Sequence, residues 1–245
     1  MKLSVVMPAY NEEGSISETV NTLYHVLNKE NINHEILVVN DNSKDNTLQI
    51  LEDLKSAVPT LVFFTNPGPN GFGYAVRYGL DNFTGDCVAI MMADLSDDPL
   101  DLVKFYFTMR AHDYDCVFGN RWMKGGKVYD YPQPKKFLNR LVNNLISWSL
   151  GLRYNDITNA FKLYKKETIN GLKPFLSPHF NLTLELPLKA IVRKYSYTYV
   201  PNSWRNRKSG ESKLKIREMG SRYFFIYLYC LIEKFFAKGD FRKNW

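Results

Sequence analysis

Short apolar runs that alternate with helical periodicity fill the first half of this chain and leave few folds open to it. Residues 3–7, 35–39, 61–64, 87–92 and 115–118 each read as a buried strand. Behind Ser15, an N-cap candidate whose capping box Glu18 would complete, Ile16, Val20, Leu23 and Leu27 recur at helical spacing. A helix near 46–56 carries Leu48, Leu51 and Leu54 on one face, another carries Ala75, Val76 and Leu80, and a third spans 99–111. This alternation predicts an α/β fold: a mostly parallel, Rossmann-like sheet flanked by helices.

Open sheets of this kind collect ligands at the carboxyl ends of their strands, and two acidic loops stand there. Asp41 and Asp45 follow the second strand; Asp94, Asp97 and Asp98 follow the fourth. Two readings stay open for the first pair: Asp41 accepting from a base N–H with Asp45 supporting the loop, or ordinary turn chemistry. In the second cluster, three carboxylates within five residues repel one another unless a cation compensates. A divalent ion bridging Asp94, and Asp97 beside it, to a diphosphate would do so. Asp98 before Pro99 reads better as a helix cap. The Gly-containing loop at 68–73 matches no phosphate-binding fingerprint. Arg121 and the run from Arg205 through Arg207 and Lys208 to Lys213 suit phosphate oxygens, or are a solvated charge run.

Beyond residue 125 the pattern changes. Phe137, Leu138, Leu141, Val142, Leu145, Ile146 and Trp148 form one apolar helix face over 135–152, with Lys135, Lys136, Arg140, Asn143, Asn144 and Ser147 mainly opposite. An aromatic, basic stretch closes the chain over 216–245. Each could be a core helix or an interfacial one lying on anionic headgroups. With a net charge of +7, the chain could meet phosphorylated ligands or an anionic membrane surface. Its basic residues gather at candidate phosphate positions, so no nucleic acid is expected. The opening strand, closed by Pro8, is too short for a signal peptide, and the apolar run 223–232 is too short to span a bilayer. Cys87, Cys116 and Cys230 lack metal or disulfide spacing. A cytoplasmic protein, peripheral to the membrane, is expected.

In this order the pieces resemble the family 2, GT-A-type glycosyltransferases, closest to the dolichol-phosphate mannose synthase-like branch. The matching segments are 5–12 (VVMPAYNE), 39–45 (VNDNSKD), 71–75 (GFGYA), 85–86, 93–96 (ADLS), 119–121 (GNR), 156–162 (DITNAFK) and 207–213 (RKSGESK). The resemblance implies a GT-A domain over 1–215, followed by an amphipathic helical extension over 216–245. It implies a metal-dependent inverting transfer of sugar from a UDP- or GDP-sugar to an acceptor, expected to be a polyprenyl phosphate. Pro8, Tyr10, Glu12, Asp41 and Gly71 would then bind the nucleoside, and Asp94 would bind Mg²⁺ or Mn²⁺. Arg121, Arg207 and Lys213 would hold donor or acceptor phosphates. Asp156 falls at the acidic position near the acceptor and is the candidate base if the acceptor is a hydroxyl.

Three positions depart from the family pattern. Met92 replaces the first acid of the metal motif, Asn40 and Asn42 flank Asp41, and the acceptor-side segment reads Ala160-Phe161-Lys162. These departures keep two alternatives alive: transfer to a glycan or protein, and a nucleotide-sugar-binding protein that has lost catalysis.

Overall fold

The computed structural model describes residues 1–207, 216–237 and 239–241, with side chains in the last helix from Gly220 onward. The alternating first half forms β1 (Leu3–Ala9), α1 (Ile16–Lys29), β2 (His34–Asn40), α2 (Thr47–Ala57), β3 (Leu61–Thr65), α3 (Phe72–Asn82), β4 (Cys87–Ile90), α4 (Pro99–His112) and β5 (Cys116–Asn120). Then come β6 (Lys127–Tyr129), α5 (Gln133–Ser149), β7 (Lys162–Lys165), α6 (Lys166–Gly171), α7 (Leu182–Val192), β8 (Tyr197–Pro201), β9 (Ser203–Arg205) and α8 (Ile216–Phe236). Seven strands build one sheet in the order β3-β2-β1-β4-β7-β5-β8, and β6 pairs with β9 beside it.

Strands β1 to β4 are parallel, as the alternation predicts. The periodicity gave no sign of β7, which runs antiparallel between β4 and β5. Apolar clusters cover both sheet faces. One joins Val5, Met7 and Ile36 to helices α1, α2 and α4; the other joins Val6, Val39 and Phe118 to α3, α7 and α8. Helix α8 enters the second cluster through Ile226 and Cys230.

Local departures from expectation have physical causes. No capping box forms at α1, because Ser15 Oγ donates to Ala93 O (2.9 Å) and ties the helix start to the fourth-strand loop. The fourth strand ends at Ile90, two residues early. There the Met92 N–H turns to the Asp97 carboxylate (3.1 Å). Asp98 does cap α4, accepting from Leu100 N–H (2.9 Å). Helix α5 is inverted: Asn143 and Ser147 are buried with Ile146, while Phe137, Leu141, Leu145 and Trp148 face outward, Trp148 at 83% exposure. Asn143 explains this by hydrogen bonding Thr158 through both its amide ends (2.8 and 3.0 Å). Ser147 does the same toward Tyr154 O (2.7 Å).

Candidate active site

Two cavities open at the carboxyl ends of the strands. The first, about 340 Å³, is lined by Pro8, Tyr10, Glu12, Asp41, Asn70, Gly71, Phe72, His179 and Arg222, with Met92, Phe180 and Arg207. The second, about 700 Å³, shares Met92, Phe180 and Arg207 with the first and adds Asp94, Asp97 and Arg121 at its polar end. Its remaining walls are mainly apolar, with Leu138, Val142, Leu145 and Trp148 from α5 and Tyr223, Phe224 and Tyr227 from α8.

In the first cavity, Asp41 already accepts two hydrogen bonds, from Asn66 Nδ2 and Gly71 N–H (both 2.7 Å). It thereby fastens the 66–71 loop at the start of α3. A carboxylate oxygen can accept more than one bond, so a ligand N–H could still be received. Asp45 supports the neighbouring loop through Thr47 and through Glu13 N–H (3.1 Å). Gly73 lets the loop before α7 approach, since a Cβ there would lie 2.4 Å from the Pro178 carbonyl carbon. That approach stacks Phe180 on Phe72, with ring centroids 4.4 Å apart and planes 14° apart.

Asp94 lines the second cavity and pairs with Arg207, which both cavities share. Its Oδ1 accepts from Ser96 N–H (3.1 Å) and its Oδ2 pairs with Arg207 Nη2 (2.8 Å). Arg207 Nη1 also lies 3.7 Å from Glu12 Oε1. Leu95, the residue after Asp94, has φ 60°. A side chain other than glycine holds that conformation only when its surroundings impose it, as they do at many functional loops. Burial lifts the Asp97 carboxyl to about 7, against the Met92 N–H and with help from the Asp94 charge.

On the acceptor side, Arg121 meets Asp156 in a two-bond ion pair, Nη2 to Oδ1 (2.7 Å) and Nε to Oδ2 (2.9 Å). Trp122 Nε1 also donates to Asp156 (3.2 Å). Burial alone would make Arg121 easier to deprotonate, but the Asp156 charge outweighs it and fixes the guanidinium as a cation. Asp156 itself is fully buried and is not among the side chains lining either cavity. Nearby, burial brings the Lys162 ammonium down to about 7, with Asp156 opposing; its Nζ donates to Ile157 O (2.9 Å).

The fold thus brings Pro8, Tyr10, Glu12, Asp41, Gly71 and Arg207 to one cavity, and Asp94, Asp97, Arg121 and Arg207 to the adjoining one. Lys213 lies outside the described residues. Sequence reasoning missed His179, Phe180 and Arg222. Of these only Arg222 carried a signal, as a basic residue at the head of the aromatic stretch. Among the described residues no three His, Cys, Asp or Glu side chains converge as a metal cluster, and none of the helices is long and apolar enough to cross a membrane.

Residues 4–190 match the family described as Glycosyl transferase family 2. The chain is 31% identical over 219 residues to a dolichol-phosphate mannosyltransferase of Pyrococcus furiosus, covering 88% of this chain and 60% of that one. It is 27% identical to a polyprenol monophosphomannose synthase of Mycolicibacterium smegmatis, covering 86% and 80%. It therefore spans less than two thirds of the Pyrococcus relative. Among solved structures, glucosyl-3-phosphoglycerate synthase of Mycobacterium tuberculosis with phosphoglyceric acid shares the fold at TM-score 0.69 and 18% identity, over 94% of this chain and 79% of that one. The same synthase has been crystallised with Mn²⁺, UDP and glucosyl-3-phosphoglycerate (TM-score 0.67, 18% identity, 95% and 79% covered). The fold is GT-A, and the chain belongs to glycosyltransferase family 2.

Proposed function

We propose that this glycosyltransferase moves a sugar, with inversion, from a nucleoside diphosphate donor in the first cavity to a polyprenyl phosphate whose chain lies in the second. The observation that carries this reading is that a cavity lined by Tyr10, Glu12, Asp41 and two arginines meets a larger, mainly apolar one at Met92, Phe180 and Arg207. The two named relatives act on polyprenyl-type acceptors by their names, in keeping with that shape.

Pro8, Tyr10, Glu12, Asp41 and Gly71 would hold the nucleoside, with Asp41 also keeping the loop around it closed. Arg121, with Lys135 in the same wall, would bind the acceptor phosphate. Such a phosphate is already anionic near neutral pH, so attack on the anomeric carbon needs no strong base. Asp156 then serves better as the buried anion that orients Arg121 than as a base, since its oxygens are committed to Arg121 and Trp122. Arg207 would exchange its bond to Asp94 for donor oxygens, and Lys213 would belong to the same phosphate-binding segment.

The residues fit a divalent ion of modest protein grip. Asp94 offers hard oxygen, Asp97 follows in the same cavity wall, and Met92 offers none. Mg²⁺ and Mn²⁺ are commonly held by one or two carboxylates plus substrate phosphates. When bound, such an ion would neutralise the departing diphosphate.

The outward apolar faces of α5 and α8, Phe137, Leu141, Trp148, Phe225, Ile232 and Phe236 among them, flank the second cavity and would rest on an anionic membrane surface. The test is transfer of label from a panel of UDP- and GDP-sugars with Mn²⁺ to a polyprenyl phosphate. Label in the organic phase is the expected result. Release of free labelled sugar by hydrolysis, with no label in the organic phase for any donor, would overturn the polyprenyl phosphate acceptor.

A further inference from the structure

Arg222 projects from α8 into the first cavity, beside Glu12, Asp41 and Arg207. The electrostatics of that cavity are unbalanced for a diphosphate. Arg207, its other arginine, already has its charge answered by Asp94 at 2.8 Å and Glu12 at 3.7 Å. Asp41 and Glu12 add negative charge to the lining. Without a further cation, a nucleoside diphosphate would therefore meet two carboxylates and one guanidinium in this lining. Arg222 is exposed and, among the described residues, no ion pair or hydrogen bond engages its guanidinium. It can turn to phosphate oxygens without breaking an ion pair or hydrogen bond to any described residue, and a guanidinium matches them with two parallel N–H donors.

The metal site strengthens the case. With Met92 in the loop and no cluster of three ligating side chains among the described residues, an ion brings less protein-anchored grip to the diphosphate. Direct contacts from cations must then carry more of the donor's affinity. Arg222 is also well placed to do this repeatedly, because α8 is pinned at two levels. Tyr223, the next residue, donates to Phe180 O (3.1 Å), and burial holds its phenol up at about 12, so it stays a donor. Further along, Glu233 takes a two-bond ion pair from Arg193 (2.7 and 3.0 Å). A site built on a fixed helix keeps its geometry better than one on a loop.

We infer that Arg222 binds the diphosphate of the nucleotide donor, making α8 part of the donor site as well as a wall of the apolar cavity. This rests on the donor reading proposed above. The experiment is calorimetric titration of UDP, GDP, CDP and ADP, each with saturating Mn²⁺, into the full chain and into R222A, R222Q and R222K. Arg153→Ala, which removes an exposed arginine lining neither cavity, controls for net charge. Relative to the nucleoside diphosphate that the wild type prefers, R222A and R222Q should bind about tenfold more weakly, the loss of one charge-assisted contact. R222K should fall between, and R153A should match the wild type. The corresponding nucleoside, without phosphates, should bind all variants alike, and melting temperatures should coincide. Unchanged diphosphate affinity in both R222A and R222Q, or an equal loss for the nucleoside, overturns the role of Arg222 and leaves the donor reading standing. A wild type that binds none of the four overturns that reading and this inference together.

Discussion

Helices α1 and α5 are both amphipathic, and they use that property in opposite directions. Helix α1 turns Ile16, Val20, Leu23 and Leu27 inward, all fully buried against the sheet, and leaves its polar residues other than Thr19 at least partly in water. Helix α5 turns Asn143 and Ser147 inward and holds Phe137, Leu145 and Trp148 out. The cause lies in what each helix finds beneath it. Helix α1 joins two adjacent parallel strands and has a bare apolar sheet face to cover. Helix α5 sits over the 154–158 loop, whose unpaired backbone and Thr158 demand hydrogen-bond partners, and Asn143 and Ser147 supply them. An apolar stripe thus reports that a face will leave water, not which surface it will leave water for.

The contrast can be broken most sharply through stability. Leu23→Ala in α1 should destabilise the protein by about 2–5 kcal/mol, the cost of a cavity in a closed core. Trp148→Ala in α5 should cost within about 0.5 kcal/mol, as for an exposed side chain. Chemical denaturation of both variants measures this, and a large loss from W148A would show that its face is packed against something in the free protein. The membrane side of the contrast comes next. A W148S/F225S double variant should bind phosphatidylglycerol-containing vesicles at least about a hundredfold more weakly, since covering each ring is worth roughly 1.5–3 kcal/mol. Its slow hydrolysis of donor in solution should be unchanged. Vesicle binding equal to wild type would remove α5 and α8 from the membrane-docking role.

A pH-dependent effect concerns the base of the regular half, where Glu35 joins the start of β2 to Ser4, Thr84 and Lys2. Burial alone would raise its carboxyl above the ordinary 4.5, but those hydrogen bonds outweigh burial and bring it down to about 2. The folded protein therefore favours the charged form. The resulting stability is complete above about pH 4.5 and is lost as the pH falls toward 2. Glu35→Gln should melt below the wild type at neutral pH, with the gap closing across that acid window. A gap that stays constant would deny the carboxylate this role.

The same contrast explains how far the sequence could be read. Strands β1 to β4 and helices α1 to α4 were legible because each carries one period and one direction of burial. Helix α7 has no stripe to find: Leu182–Val192 is buried nearly all round, with Glu185 and Lys189 paired inside it (2.6 Å) and Pro187 within its span. Strand β7 spans only Lys162–Lys165, too short for alternation to register. In the site, Asp94 and Arg121 stood out because they lie in the loops that follow strands. Phe180 and Arg222 did not, since they arrive from the loop before α7 and from α8 by packing between distant segments.

What joins the regular half to the inverted one is Asp94, and the claim that a cation and a diphosphate are held there together is open to direct measurement. Mn²⁺ can be titrated into the wild type and into Asp94→Asn, with and without the nucleoside diphosphate that the wild type prefers, following the electron paramagnetic resonance signal of free Mn²⁺. The wild type should take up Mn²⁺ tightly only with the nucleotide present, and D94N, folded as before, should hold it at least about tenfold more weakly. Equal uptake by D94N, or uptake by the wild type that ignores the nucleotide, would contradict that claim.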